Sequence, residues 1–176
     1  MAWVVMKTGI RTIGGIAALL LVASLAQAAP ALMSPEWATQ ACEAWNEDPI
    51  LTEQLVEKWI KNDQDRGYKV VQLYRMDCAD SPRVELRISE EDGKAMCVYG
   101  GPVKATELNK KSDYLMWAKT NRWQEMGAGK YGPMRAMMFF RLKFKGPKWE
   151  AMNHMGPFKN FLLLTGTVPS DTSSCP

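Results

Sequence analysis

From residue 34 onward, apolar positions recur at helical spacing, then alternate, then return to helical spacing. Ser34-Pro35-Glu36 offers an N-cap, a proline at the first helical position and an acid in the first turn. This predicts a helix to about Asn46 with Trp37, Ala41, Ala44 and Trp45 inward. Asp48-Pro49 repeats the start signal, and Leu51, Leu55 and Trp59 follow at i, i+4 and i+8, beside Val56 and Ile60. Residues 62–67 break the pattern. Residues 68–76, rich in aromatic and β-branched side chains, read as a strand. Val84, Leu86 and Ile88 then alternate with Arg83, Glu85 and Arg87. Asp92-Gly93 marks a hairpin, residues 94–99 return, and Gly100-Gly101-Pro102 ends a three-strand meander.

Residues 103–112 read as loop or short helix, and 113–119 as a fourth strand. Asn121, with Gln124 three residues on, suits the cap of a helix through about Met126, which Gly127, Gly129 and Gly132 stop. Pro133 opens a short helix carrying Met134, Met137 and Met138. Over 140–145, Phe140, Leu142 and Phe144 share one face of a strand, and Arg141, Lys143 and Lys145 the other. Gly146-Pro147 leads into helices bearing Trp149, Met152, Met155, Phe158, Phe161 and Leu162 to Leu164. Strands in a meander with helices to one side define an α+β fold. The chain divides into 1–28, helices over 29–66, a main unit over 67–166 and a polar tail over 167–176.

The first 28 residues have the make-up of a cleaved export signal. Lys7 and Arg11 precede an uncharged apolar run over 13–25, and Ala26-Gln27-Ala28 fits a cleavage site. The run is shorter than the ~20 residues that span a bilayer, so an uncleaved anchor is the lesser alternative. The expected location is periplasmic or secreted. The four cysteines, Cys42, Cys78, Cys97 and Cys175, then suggest two disulfides. Cys78 and Cys97 fall on the outer strands of the meander, roughly 9.6 Å apart at two strand spacings, which disfavours that pairing and leaves two connectivities open. The net charge of +3 hides an asymmetry: residues 29–100 hold 8 Lys/Arg and 14 Asp/Glu, residues 101–176 hold 12 and 5. The basic half suits either an anionic membrane surface or plain solvation. No dense basic block or motif supports nucleic acid as a partner.

Catalytic signals are thin. His154 is the one histidine, and no nucleophile elbow or zinc-protease motif occurs. Residues 127–132 spell Gly-x-Gly-x-x-Gly, but a helix precedes them and Pro133 follows, so they read as a helix stop and not as a dinucleotide loop. Met152-Asn153-His154-Met155 could in principle hold cuprous copper, though i, i+3 methionines are ordinary core spacing. No cofactor is implied. Six methionines between 126 and 155, beside Trp117, Trp123, Phe139 and Phe140, suggest an adaptable apolar cavity. Kept empty, a pocket of ~300 Å³ would cost ~7 kcal/mol, comparable with a domain's whole stability, so it should be filled, wetted or collapsed.

Three segments carry a resemblance. They are Asp113-Tyr-Leu-Met-Trp-Ala-Lys119 with Trp123; Gly132-Pro133-Met134-Arg135-Ala136-Met137-Met138; and Arg141-Leu142-Lys143-Phe144-Lys145-Gly146. Together they are similar to the lipid-binding domain of the type-2 sterol carrier protein family, clearly over about 110–165. The resemblance implies a five-stranded, mostly antiparallel sheet whose helices enclose an apolar tunnel for a sterol, fatty acyl chain or phospholipid. Phe140 departs from the family, which usually has Gly there, and is expected to narrow or reshape the tunnel. The expected lining is Trp117, Trp123, Met126, Met134, Met137, Met138, Phe140, Leu142, Phe144, Met155, Phe158 and Leu162. The expected function is non-enzymatic lipid binding or transfer; the alternative is an accessory module whose apolar face packs on a partner subunit.

Overall fold

The computed structural model describes Met1, residues 28–80 and residues 82–176. The expected export signal lies outside the described residues. Helix α1 (Pro35–Glu47) starts as its sequence dictates: the Ser34 side chain accepts the Trp37 N–H at 3.2 Å. Its inward face is Trp37, Ala38, Ala41, Cys42 and Trp45. Asp48 caps α2 (Pro49–Gln54) through the Ile50 N–H at 2.8 Å. α2 stops nearly two turns earlier than its periodicity, which runs to Trp59 and Ile60, predicts. The Trp59 carbonyl is taken by the Lys69 ammonium at 2.9 Å and the Trp59 indole N–H by the Tyr114 hydroxyl at 3.1 Å, so these partners hold the following turns. Leu51, Leu55, Trp59 and Ile60 are nonetheless buried, as expected.

The sheet runs β3-β2-β1-β4-β5, with β1 (Lys69–Arg75), β2 (Val84–Glu91), β3 (Lys94–Pro102), β4 (Tyr114–Ala118) and β5 (Lys143–Lys145). All neighbours are antiparallel except β1 and β4, which are parallel. Gly100 to Pro102 do not end the meander but continue β3, opposite Leu86 to Val84. Gly100 lets α1 lie on β3: a Cβ there would stand 2.1 Å from the Ala38 carbonyl oxygen. The Cys42–Cys97 disulfide ties the same two elements. Along β3, the Asn46 amide donates to the Cys97 carbonyl at 2.9 Å and accepts its N–H at 2.7 Å. Trp45 donates to the Ala95 carbonyl and Thr39 to that of Gly100.

Asp113, just before β4, is buried and fastens three segments. It pairs with Arg66, accepts the Val70 N–H at 3.0 Å and accepts the Asn109 N–H at 2.8 Å. Helix α3 (Thr120–Gly127) is not capped by Asn121; instead the Asp77 carboxylate accepts the Thr120 N–H at 2.9 and 3.0 Å. Gly127 does end the helix, and it also meets α6 (Met155–Thr167): a Cβ there would lie 2.5 Å from the Gly166 nitrogen. Helix α4 (Pro133–Met138) opens at Pro133 as expected. The strand expected over 140–145 shrinks to β5, because Phe140 takes a left-handed conformation (φ 55°) and leaves the alternation. Helix α5 (Lys148–Asn153) and α6 complete the layer on the sheet's inner face. The chain end is pinned, although its sequence reads as a polar tail. Asp171 exchanges backbone hydrogen bonds with Pro30 and Leu32, and Cys175 bridges to Cys78.

Candidate ligand cavity

Parallel registry puts Val71 beside Tyr114 and Leu73 beside Met116, and Phe144 of β5 stands opposite Met116. These side chains form the inner floor. Above them, Trp45, Leu51, Leu55 and Trp59 come from the N-terminal helices and the turns after them, and Ala151, His154, Pro157, Phe158 and Phe161 from α5, α6 and their junction. They line a small, partly open cavity of about 40 Å³. Six aromatic rings close a circuit around it. Trp45 meets Trp59 at 6.2 Å, Trp59 stacks on Tyr114 at 5.9 Å, and Tyr114 meets Phe144 at 5.5 Å. Phe144 meets Phe158 at 5.9 Å, Phe158 meets Phe161 at 6.4 Å, and Phe161 returns to Trp45 at 6.0 Å. Aromatic pairs at these distances contribute beyond the area they bury.

A polar cluster closes one side. Glu150 on α5 accepts from Lys69 at 2.7 Å, from Asn62 at 2.8 Å and from the Tyr114 hydroxyl. The Lys69 side chain is fully buried and lies 4.3 Å over the Trp59 ring. Burial pushes the Lys69 pKa down, against the opposing pull of Glu150. Burial, then the bond to Glu150, pushes the Tyr114 hydroxyl well above its ordinary range. Glu150 thus anchors α5 to β1, β4 and the segment after α2. Outside it lies a solvent-facing pocket lined by Lys58, Trp149, Glu150, Asn153 and His154. His154, at the junction of α5 and α6, borders this pocket and the cavity alike. A wider, more open groove beside α1 mixes Glu36, Glu43, Glu47 and Asp48 with Ala44, Leu164 and Val168.

Of the twelve residues expected to line a tunnel, Phe144 and Phe158 line the cavity. Trp123, Met126, Leu142 and Leu162 are buried in the core but do not line it, and Met137 and Met155 are half-buried against that core. Trp117 sits on the outer face of the sheet, opposite Lys143 and stacked on Tyr74 at 5.7 Å. Met134, Met138 and Phe140 are exposed. Phe140 therefore does not narrow the interior: its left-handed backbone turns the ring outward, and the residue is 75% exposed. The lining that sequence reasoning missed is chiefly Trp45, Leu51, Leu55, Trp59, Tyr114 and Phe161. Helical spacing places Trp45, Leu51, Leu55 and Trp59 inward, whereas none of the six methionines between 126 and 155 lines the cavity. At the copper candidate, Met152 is exposed and the His154 Nδ1 lies 2.8 Å from the Glu150 carbonyl oxygen.

The model of the SCP-2 sterol transfer family matches residues 52–159, more than half of the chain. The protein belongs to that family. Among solved structures it is similar to TT1886, a conserved hypothetical protein from Thermus thermophilus described as possibly a sterol carrier protein. That match has 19% identity, 82% of this chain and 94% of the other covered, and a TM-score of 0.49. A sterol carrier protein 2 matches at 19% identity, with 78% and 98% covered and a TM-score of 0.47. A UbiJ-SCP2 ubiquinone synthesis protein matches at 11% identity, with 79% and 95% covered and a TM-score of 0.41. No curated protein matches the chain.

Proposed function

We propose that the protein is an exported, non-enzymatic lipid-binding or lipid-transfer protein. Its ligand, a sterol, fatty acyl chain or phospholipid tail, would occupy the space inside the aromatic circuit. The observation that carries this reading is the apolar cavity walled by six rings in a member of the SCP-2 sterol transfer family. At about 40 Å³ the cavity is far smaller than the ~300 Å³ at which ligand pockets begin. A nearly collapsed resting state follows from the cost of an empty void. Loading requires α5 to lift, and the Glu150 cluster is what holds it down. Burial of a sixteen-carbon chain offers ~12 kcal/mol before ordering costs, enough to offset that opening.

Both disulfides support export, because such bridges persist in oxidising compartments. Native mass spectrometry of the protein purified from its own host tests the reading. The expected result is a bound mass that fragments as a lipid, together with saturable uptake of a fluorescent fatty acid. Absence of both would sink it. A doubled protein mass without ligand would instead favour the accessory-module alternative.

A further inference from the structure

Opposite in character to the cavity is the turn between α4 and β5. Met138, Phe139 and Phe140 are consecutive and 63%, 59% and 75% exposed. The turn is firmly built: the Ala136 carbonyl accepts both the Arg141 N–H at 2.8 Å and the Leu142 N–H at 3.0 Å. Phe140 keeps its left-handed backbone (φ 55°), an unfavourable conformation for a bulky residue, while its ring gains no internal packing. Basic side chains surround the two rings. The Arg135 guanidinium lies 6.0 Å from the Phe139 ring and the Lys143 ammonium 5.2 Å from the Phe140 ring, while the Arg141 guanidinium sits between the buried Tyr131 ring at 4.5 Å and the Phe139 ring at 5.9 Å. Among the described residues, no ion pair engages Arg135, Arg141 or Lys143. Between Glu125 and Glu150 the sequence has six Lys/Arg and no acid.

From this geometry we infer that the Met138–Phe139–Phe140 turn is a membrane-docking tip: its rings insert into the interface of an anionic bilayer, and Arg135, Arg141 and Lys143 meet the lipid phosphates. Apolar tips flanked by bases are the combination that binds such surfaces. The choice of occupant rests on charge. A second copy would bring the same unpaired bases face to face, whereas an anionic lipid surface neutralises them. The inference goes beyond cavity binding and stands whether or not the cavity takes a ligand.

Vesicle co-sedimentation of the full chain tests it, with phosphatidylcholine vesicles alone or containing one-third phosphatidylglycerol. Wild type should bind the anionic vesicles preferentially and release in high salt. The double variant Phe139→Ser/Phe140→Ser should partition about tenfold less, and Arg141→Gln/Lys143→Gln should lose most of the preference for phosphatidylglycerol. Every variant carries the same apolar N-terminal segment, so wild type and variants are compared by the bound fraction that high salt releases. Circular dichroism checks that each variant keeps its fold; both rings being exposed, the fold should persist. Equal partitioning of wild type and the variants overturns the inference. So does a dimer of the wild type that Phe140→Ser converts to monomer, which would assign the turn to a second copy.

Discussion

The aromatic circuit and the Met138–Phe140 turn use similar residues for opposite ends. In the circuit, six rings come from α1, β4, β5, α6 and the turns after α2, and neighbouring rings lie within 6.4 Å of one another. At the turn, two rings from adjacent positions stand in solvent among unpaired bases. Local apolar density therefore says little about which residues enclose a cavity. Enclosure depends on distant segments converging, and here the convergence runs through Lys69 and Glu150.

The largest break in this contrast should come from Glu150→Ala. It strands the fully buried Lys69 charge, and removal of one partner of a buried pair costs about 3–5 kcal/mol. Thermal unfolding should show a large fall in Tm, and a fluorescent fatty acid should enter the surviving folded protein faster. Replacing both partners, Lys69→Met/Glu150→Leu, should recover much of that Tm. Phe158→Ala comes next, at about 3 kcal/mol for the cavity it leaves. Added fatty acid should restore part of this loss, which a solid core position would not do. Phe139→Ala at the turn should stay within about 0.5 kcal/mol by the same measurement.

A smaller effect concerns acid. Burial pushes the Glu85 pKa up, but the Ala105 N–H and then Arg87 and Gln72 outweigh it and hold it below 4.5. Its contribution is thus fully present above pH 4.5 and lost as pH falls through the folded value. Tm measured against pH should decline on the acid side, less steeply in Glu85→Gln. The one gain expected is also small: Phe140→Gly relieves the left-handed backbone and should leave the fold as stable or up to about 0.5 kcal/mol more so, while weakening vesicle binding.

Much of the fold was legible. Ser34 and Asp48 announced α1 and α2, Asp92-Gly93 announced the hairpin, and alternation at Val84, Leu86 and Ile88 announced β2. Strand spacing disfavoured the Cys78–Cys97 pairing, which does not form, although Cys78 lies in the turn after β1 and not on an outer strand; the bridges are Cys42–Cys97 and Cys78–Cys175. The site was less legible for two physical reasons. Periodicity separates inward from outward residues, but it does not say which inward residues border a gap: Trp123 and Phe158 look alike in sequence. Strict alternation over 140–145 also hid the left-handed residue at 140, since no property of phenylalanine favours that backbone. Asn121 misled similarly, because the carboxylate that serves α3 comes from Asp77, far away in sequence.

The side chains that α1 lays along β3 have a consequence for solubility. An edge strand with bare N–H and C=O groups is a template for other chains, and a route to aggregates. Here the Asn46 amide occupies both groups of Cys97, while Trp45 and Thr39 take the carbonyls of Ala95 and Gly100. The border is sealed from within the same polypeptide, and the neighbouring disulfide keeps the seal in place. Strand addition at this margin is thereby disfavoured where these four groups are taken.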